Sequence, residues 1–81
     1  ERLKFILGSY NVGQGHVMDA VKLAKKYGRN PEVWDGNVAD YLIAKSTEKY
    51  YTDPVVQFGY CRGDEPVNYV KKILETLVTS R

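Results

Sequence analysis

The sequence predicts an all-α fold, a small multi-helix domain, on three observations. Apolar residues recur at helical spacing through most of the chain, and glycine or proline stands where those runs begin and end. No stretch of useful length alternates with period two: the only candidate, "VVQFGY", is weakened by Gly59 and by the preceding Pro54.

Leu3, Ile6, Leu7 and Tyr10 fall at i, i+3, i+4 and i+7 and predict a first helix with those four on its apolar face. Gly8 lies inside it and costs up to ~1 kcal/mol relative to alanine unless close packing or a ligand needs the missing side chain. Residues 12–15 interrupt the pattern. A second helix reads from His16 through Val17, Ala20, Val21, Ala24 and Tyr27, with Gly28 as a left-handed stop. Asn30 and Pro31 suit an N-cap and first helical position, giving a short turn over 31–35. Gly36 predicts a break, followed by a helix over 38–45. "STEKYY" predicts a single turn capped by Ser46 or Thr47. Residues 52–63 form a long irregular connection, of the kind that is functional or tied down by its own side chains. Asp64, Glu65 and Pro66 open a last helix whose buried stripe is Val67, Val70, Ile73, Leu74 and Leu77, with Lys71 and Lys72 on its other side.

Eighty-one residues amount to one small domain. Such a domain buries only ~60% of the surface its unfolded chain exposes. Twelve basic and ten acidic residues are scattered, with no polybasic block to bind nucleic acid. The pairs Lys25-Lys26 and Lys71-Lys72 read as late-helix cations that complement the macrodipole. Cys61 is alone and reads as a buried, inert thiol; one histidine and one cysteine cannot build a His- or Cys-rich metal centre. No metal or cofactor is implied. No apolar run approaches the ~20 residues of a membrane-spanning helix. The chain opens at "ERLKFIL", without methionine and already in helical register, so the expectation is a piece of a longer protein.

"GSYNVGQGHV" is the stretch richest in possible chemistry. "GQGHVM" fails as a dinucleotide fingerprint, because Met18 stands where a third glycine belongs and a helix precedes it instead of a strand. A plain interhelical turn and a ligand-facing backbone both stay open. His16 reads as a helix-start residue with no local partner to orient it. Of seven tyrosines, Tyr27 and Tyr41 lie on apolar faces, whereas Tyr10, Tyr60 and Tyr69 neighbour amides, a guanidinium or glycines and could line a groove for polar polymers.

The segments "SYNVGQGHV", "FGYCRGDEPVNYV" and "NYVKKIL", in that order, resemble the C-terminal half of the lytic murein transglycosylase (SLT) domain of the goose-lysozyme-like family, and within it the membrane-bound F type, over about residues 5–77. The resemblance implies that residues 1–81 are the C-terminal portion of a lysozyme-like catalytic domain. It matches Ser9, Tyr10, Asn11 and Gly13 to an [AS]-Y-N-x-G motif that walls the peptidoglycan cleft, and Tyr69 to a second cleft tyrosine. Tyr10 would lie beside the catalytic glutamate and Asn11 would contact substrate; Tyr60 and Arg62 receive no role.

The family's "E-S" glutamate and "G-L-M-Q" motif are expected upstream, so this chain is expected to supply cleft residues, to hold no catalytic residue and to be inactive alone. In the family one glutamate protonates the glycosidic oxygen between N-acetylmuramic acid and N-acetylglucosamine and then takes the proton of the muramyl 6-hydroxyl. That leaves a 1,6-anhydro sugar, so the enzyme is a carbohydrate lyase and not a two-carboxylate glycosidase. The implied partners are peptidoglycan glycan strands, with no nucleic acid. The implied location is the bacterial cell envelope, in the periplasm at the outer membrane. Truncation implies an exposed apolar patch that could drive self-association. A noncatalytic helical module binding glycan or protein through the same tyrosines is the alternative.

Overall fold

The computed structural model describes residues 1–79, and every regular element among them is helical. In chain order these are α1 (Arg2–Val12), α2 (Gln14–Lys26), α3 (Ala39–Ala44), α4 (Glu48–Tyr51) and α5 (Asp64–Thr79). A kinked segment, Trp34–Val38, leads into α3, and Gly36 (φ 71°) is the predicted break within it. The 52–63 connection is irregular, as expected from its composition.

The core forms where α2, the kink and α3 meet. Val17, Ala20, Leu23 and Ala24 of α2 are buried, as are Trp34, Val38, Ala39, Leu42, Cys61 and Val70. Burial raises the pKa of the Cys61 thiol, so it is the inert core residue its isolation predicted.

The helix α1 corrects its predicted face. Its inward residues are Phe5, Leu7, Gly8 and Val12, while Leu3, Ile6 and Tyr10 are exposed. Two stripes of the same spacing, 3-6-10 and 5-8-12, compete on this helix, and the indole of Trp34 chooses between them. It packs edge-on against Phe5, with centroids 5.4 Å apart, and lies so close to Gly8 that a Cβ there would come within 2.5 Å of Trp34 Cη2. Close packing is therefore what Gly8 serves. The Glu1 carboxylate completes this dock by accepting the Trp34 backbone N–H at 2.7 Å.

Other expectations need smaller changes. The second helix starts at Gln14, two residues early, and ends before Gly28, which takes the left-handed stop at φ 81°. The predicted turn does follow Pro31, and in it the Asn30 side chain accepts the Glu32 N–H at 2.9 Å. Thr47 holds the N-cap position of α4 but makes no side-chain cap bond. In α5, Val70 is buried and Val67, Ile73 and Leu74 are half-buried, but Leu77 is exposed. Lys71 and Lys72 sit mid-helix, away from the C-terminal dipole, while Lys25 and Lys26 do occupy the last turn of α2. Tyr41 packs partly buried against the core, whereas Tyr27 is exposed; their rings stack at 5.8 Å, and Tyr50 meets both edge-on.

Candidate functional site

Tyr10 and Asn11 occupy the last turn of α1. Backbone geometry ends that helix: Gly13 adopts φ 101°, ψ 141°, which a side chain at this position would not tolerate, while its N–H still reaches the Ser9 carbonyl at 2.8 Å. The chain restarts as α2 one residue later. Tyr10 is 82% exposed and Asn11 is exposed as well, and neither side chain makes a hydrogen bond among the described residues. A phenol and an amide thus face solvent at a break between two helices, with open space around Gly13.

Tyr69 is placed differently. It lies on α5, which packs against α1, but its ring is half-buried against the core. Tyr10, Asn11 and Gly13 are gathered at one helix end, whereas Tyr69 lies on a different helix, against the core. A groove of about 610 Å³ runs elsewhere, between the start of α1, the kink and α5. Trp34, Val70, Leu74 and Val78 line it, with Lys4 and Lys71 among its charged residues; none of the four predicted site residues does.

One turn into α2 stands a polar cluster that the sequence reading missed. The Lys45 ammonium, fully buried, donates to Asp19 Oδ2 at 2.7 Å and lies 2.7 Å from His16 Nδ1. Asp19, 1% exposed, also accepts the backbone N–H groups of Gln57 and Phe58 at 2.9 and 2.8 Å. An ammonium can only donate, so His16 Nδ1 is the acceptor and its proton sits on Nε2. The orienting partner of His16 is thus not a local one but a lysine 29 residues along the chain. Its pKa is lowered by burial and then by Lys45, against the pull of Asp19. Burial pushes the Asp19 carboxyl up, but its bonds to Lys45, Gln57 and Phe58 outweigh that and bring it down. The signal was present in the pattern: Asp19 falls three residues after His16 and four before Leu23, on the buried face of α2, where a carboxylate needs a cation.

A second polar cluster centres on the buried Asp53. Asp53 accepts from Lys26 at 2.9 Å and from the Tyr27 hydroxyl at 2.8 Å, and its pKa falls to about 2, chiefly through the Lys26 bond. The carboxyls of Asp19, Asp53 and Glu1 are all shifted down, the direction opposite to that of a general acid. Among the described residues no group of three or more His, Cys, Asp and Glu could hold a metal ion.

No family model matches the chain. Curated proteins do. A membrane-bound lytic murein transglycosylase F of Maricaulis maris is 45% identical over 75 residues, 93% of this chain, and its counterpart in Vibrio cholerae is 45% identical over 73 residues, 90% of the chain. The chain is homologous to one segment of the transglycosylases F. A transglycosylase F 2 of Alkalilimnicola ehrlichii matches at 44% over 73 residues. The chain spans 13–16% of the length of these transglycosylases. No described helix is long and apolar enough to cross a membrane.

Proposed function

We propose that this chain is the C-terminal portion of an SLT-type transglycosylase domain and supplies one wall of its peptidoglycan cleft, with Tyr10, Asn11 and Gly13 facing the substrate and Tyr69 contributing from α5. The observation that carries the reading is the state of Tyr10 and Asn11. A tyrosine at a helix end that is 82% exposed contributes little to folding, so its presence beside an exposed amide in a chain 45% identical to transglycosylases F favours a role toward a ligand. The phenol can donate or accept at a reacting carboxyl, and the amide can pair with an N-acetyl group.

In this reading the acid/base glutamate comes from outside the 81 residues. It protonates the glycosidic oxygen between N-acetylmuramic acid and N-acetylglucosamine, and the muramyl 6-hydroxyl closes onto C1 as it loses its proton, giving the 1,6-anhydro product. The chain alone is then without lytic activity, and the longer protein works in the cell envelope on glycan strands. Leu3, Ile6, Leu77 and Val78, exposed here, form faces through which the isolated chain self-associates. The test is turbidity loss of purified murein sacculi: clearing by the 81-residue chain alone, or an unchanged rate for Asn11→Ala in the longer protein, would sink the proposal.

A further inference from the structure

Phe58 is a large apolar side chain that is 55% exposed, yet its backbone is anchored and its ring has two neighbours. Its backbone N–H is donated to the buried Asp19 carboxylate at 2.8 Å, next to the matching bond from Gln57. That carboxylate is itself fixed by the buried ammonium of Lys45. The ring then lies on Gly15, where a Cβ would fall 2.7 Å from Phe58 Cε2, so a side chain at 15 would push the ring away. Its edge approaches the His16 imidazole, with centroids 6.3 Å apart at 62°. Two residues further along, Tyr60 is also 55% exposed and is braced edge-on by Tyr51 at 5.7 Å.

Burying an ion pair is costly, and here its bonds converge on the backbone of an exposed aromatic residue. Stability alone would be served better by turning the ring inward. A rigid, solvent-facing aromatic surface suits a ligand with a flat apolar face and polar edges, because no side-chain freedom is lost on contact. A pyranose ring is such a ligand, with axial C–H groups on its faces and hydroxyls at its rim. Phe58 touches Gly15, two residues beyond Gly13, which places the ring at the start of α2, next in the chain to the Tyr10–Asn11 turn.

We propose that Phe58 is a stacking platform for a pyranose ring of a glycan strand, extending the surface begun by Tyr10 and Asn11; this rests on the cleft-wall reading above. The test is co-sedimentation of the full-length protein carrying this segment with purified murein sacculi, for wild type, Phe58→Leu, Phe58→Tyr and Tyr10→Ala, with thermal unfolding of each. Phe58→Leu is expected to weaken binding roughly 3- to 10-fold at an unchanged melting temperature, with Phe58→Tyr close to wild type. Equal binding by Phe58→Leu and wild type overturns the platform, and if Tyr10→Ala binds weakly in the same series the cleft-wall reading stands without it. Weaker binding accompanied by a lower melting temperature in both Phe58 variants would make the ring a lid over the His16–Lys45–Asp19 cluster and also overturns the platform. Absence of sacculus binding by wild type defeats both readings.

Discussion

Lys45 Nζ lies 2.7 Å from Asp19 Oδ2, with the two side chains 0% and 1% exposed, and this buried pair joins α2 to the end of α3 and to the 52–63 connection. The connection has no regular structure of its own. It is held through the Gln57 and Phe58 amides on Asp19 and through the Cys61 N–H on the Lys45 carbonyl at 3.2 Å. Every buried side-chain nitrogen and oxygen among the described residues has a partner, so the pair is fully compensated as it stands.

Removing only the cation should therefore be severe. Lys45→Met leaves a buried carboxylate with two amide donors and is expected to cost about 3–5 kcal/mol in denaturant unfolding. Adding Asp19→Leu removes the stranded charge but orphans the Gln57 and Phe58 N–H groups, so the double variant should recover only part of the loss. A cost below about 1 kcal/mol for Lys45→Met would contradict the pair's structural role.

Acid should weaken the same cluster. His16 is lowered from 6.5 in the folded chain, so the unfolded chain takes up the proton first; the stabilisation is complete above 6.5 and is lost as pH falls through the lower folded value. Lys45 and Asp19 are the charged groups that shift it. Melting temperature should fall on acidifying below 6.5, and His16→Gln should flatten that slope.

A separate loss is expected at lower pH. Asp53 titrates at about 2 in place of 3.8, so its contribution is present above 3.8 and disappears toward 2. Asp53→Asn should weaken that acid step without altering the one below 6.5. Circular dichroism melts across pH separate the two.

Gly8→Ala sets helix propensity against packing. The gain is up to ~1 kcal/mol, but the new methyl would lie 2.5 Å from Trp34 Cη2, so the buried indole would have to leave its packing against Phe5. Packing should win, with a net loss of about 1–2 kcal/mol and a change in the emission of Trp34, the single tryptophan.

Tyr10→Phe and Asn11→Ala should separate function from folding. Both sites are exposed, so thermal stability should stay within about 0.5 kcal/mol of wild type. Lytic turnover of sacculi by the longer protein should fall roughly 10- to 100-fold, the scale of one hydrogen bond to a charged group. A fall in stability matching the fall in rate would point to a structural role instead.

The exposed Leu3, Ile6, Leu77 and Val78 predict concentration-dependent association of the isolated 81-residue chain. Sedimentation velocity should show it, with Ile6→Lys reducing it. A monomer at all concentrations that binds no hydrophobic dye would count against these faces being sticky.

The helices of this chain, their order and their approximate ends are legible in the sequence because each rests on local spacing, a cap or a breaker: Gly28 stops α2, Gly36 breaks the approach to α3, and acidic residues open α5. Tyr10, Asn11 and Gly13 stand out as candidates by motif. What spacing got wrong was which face of α1 turns inward, since a second stripe competes with the predicted one and only the position of Trp34, far along the chain, selects Phe5 and Gly8. Tertiary structure also decided that Lys45 is buried, that His16 is held by it, and that Phe58 stands exposed beside them. Those outcomes depend on residues 26 to 39 positions apart being brought into contact: the spacing of α2 puts Asp19 on a buried face that needs a cation, but says nothing about which distant lysine supplies it.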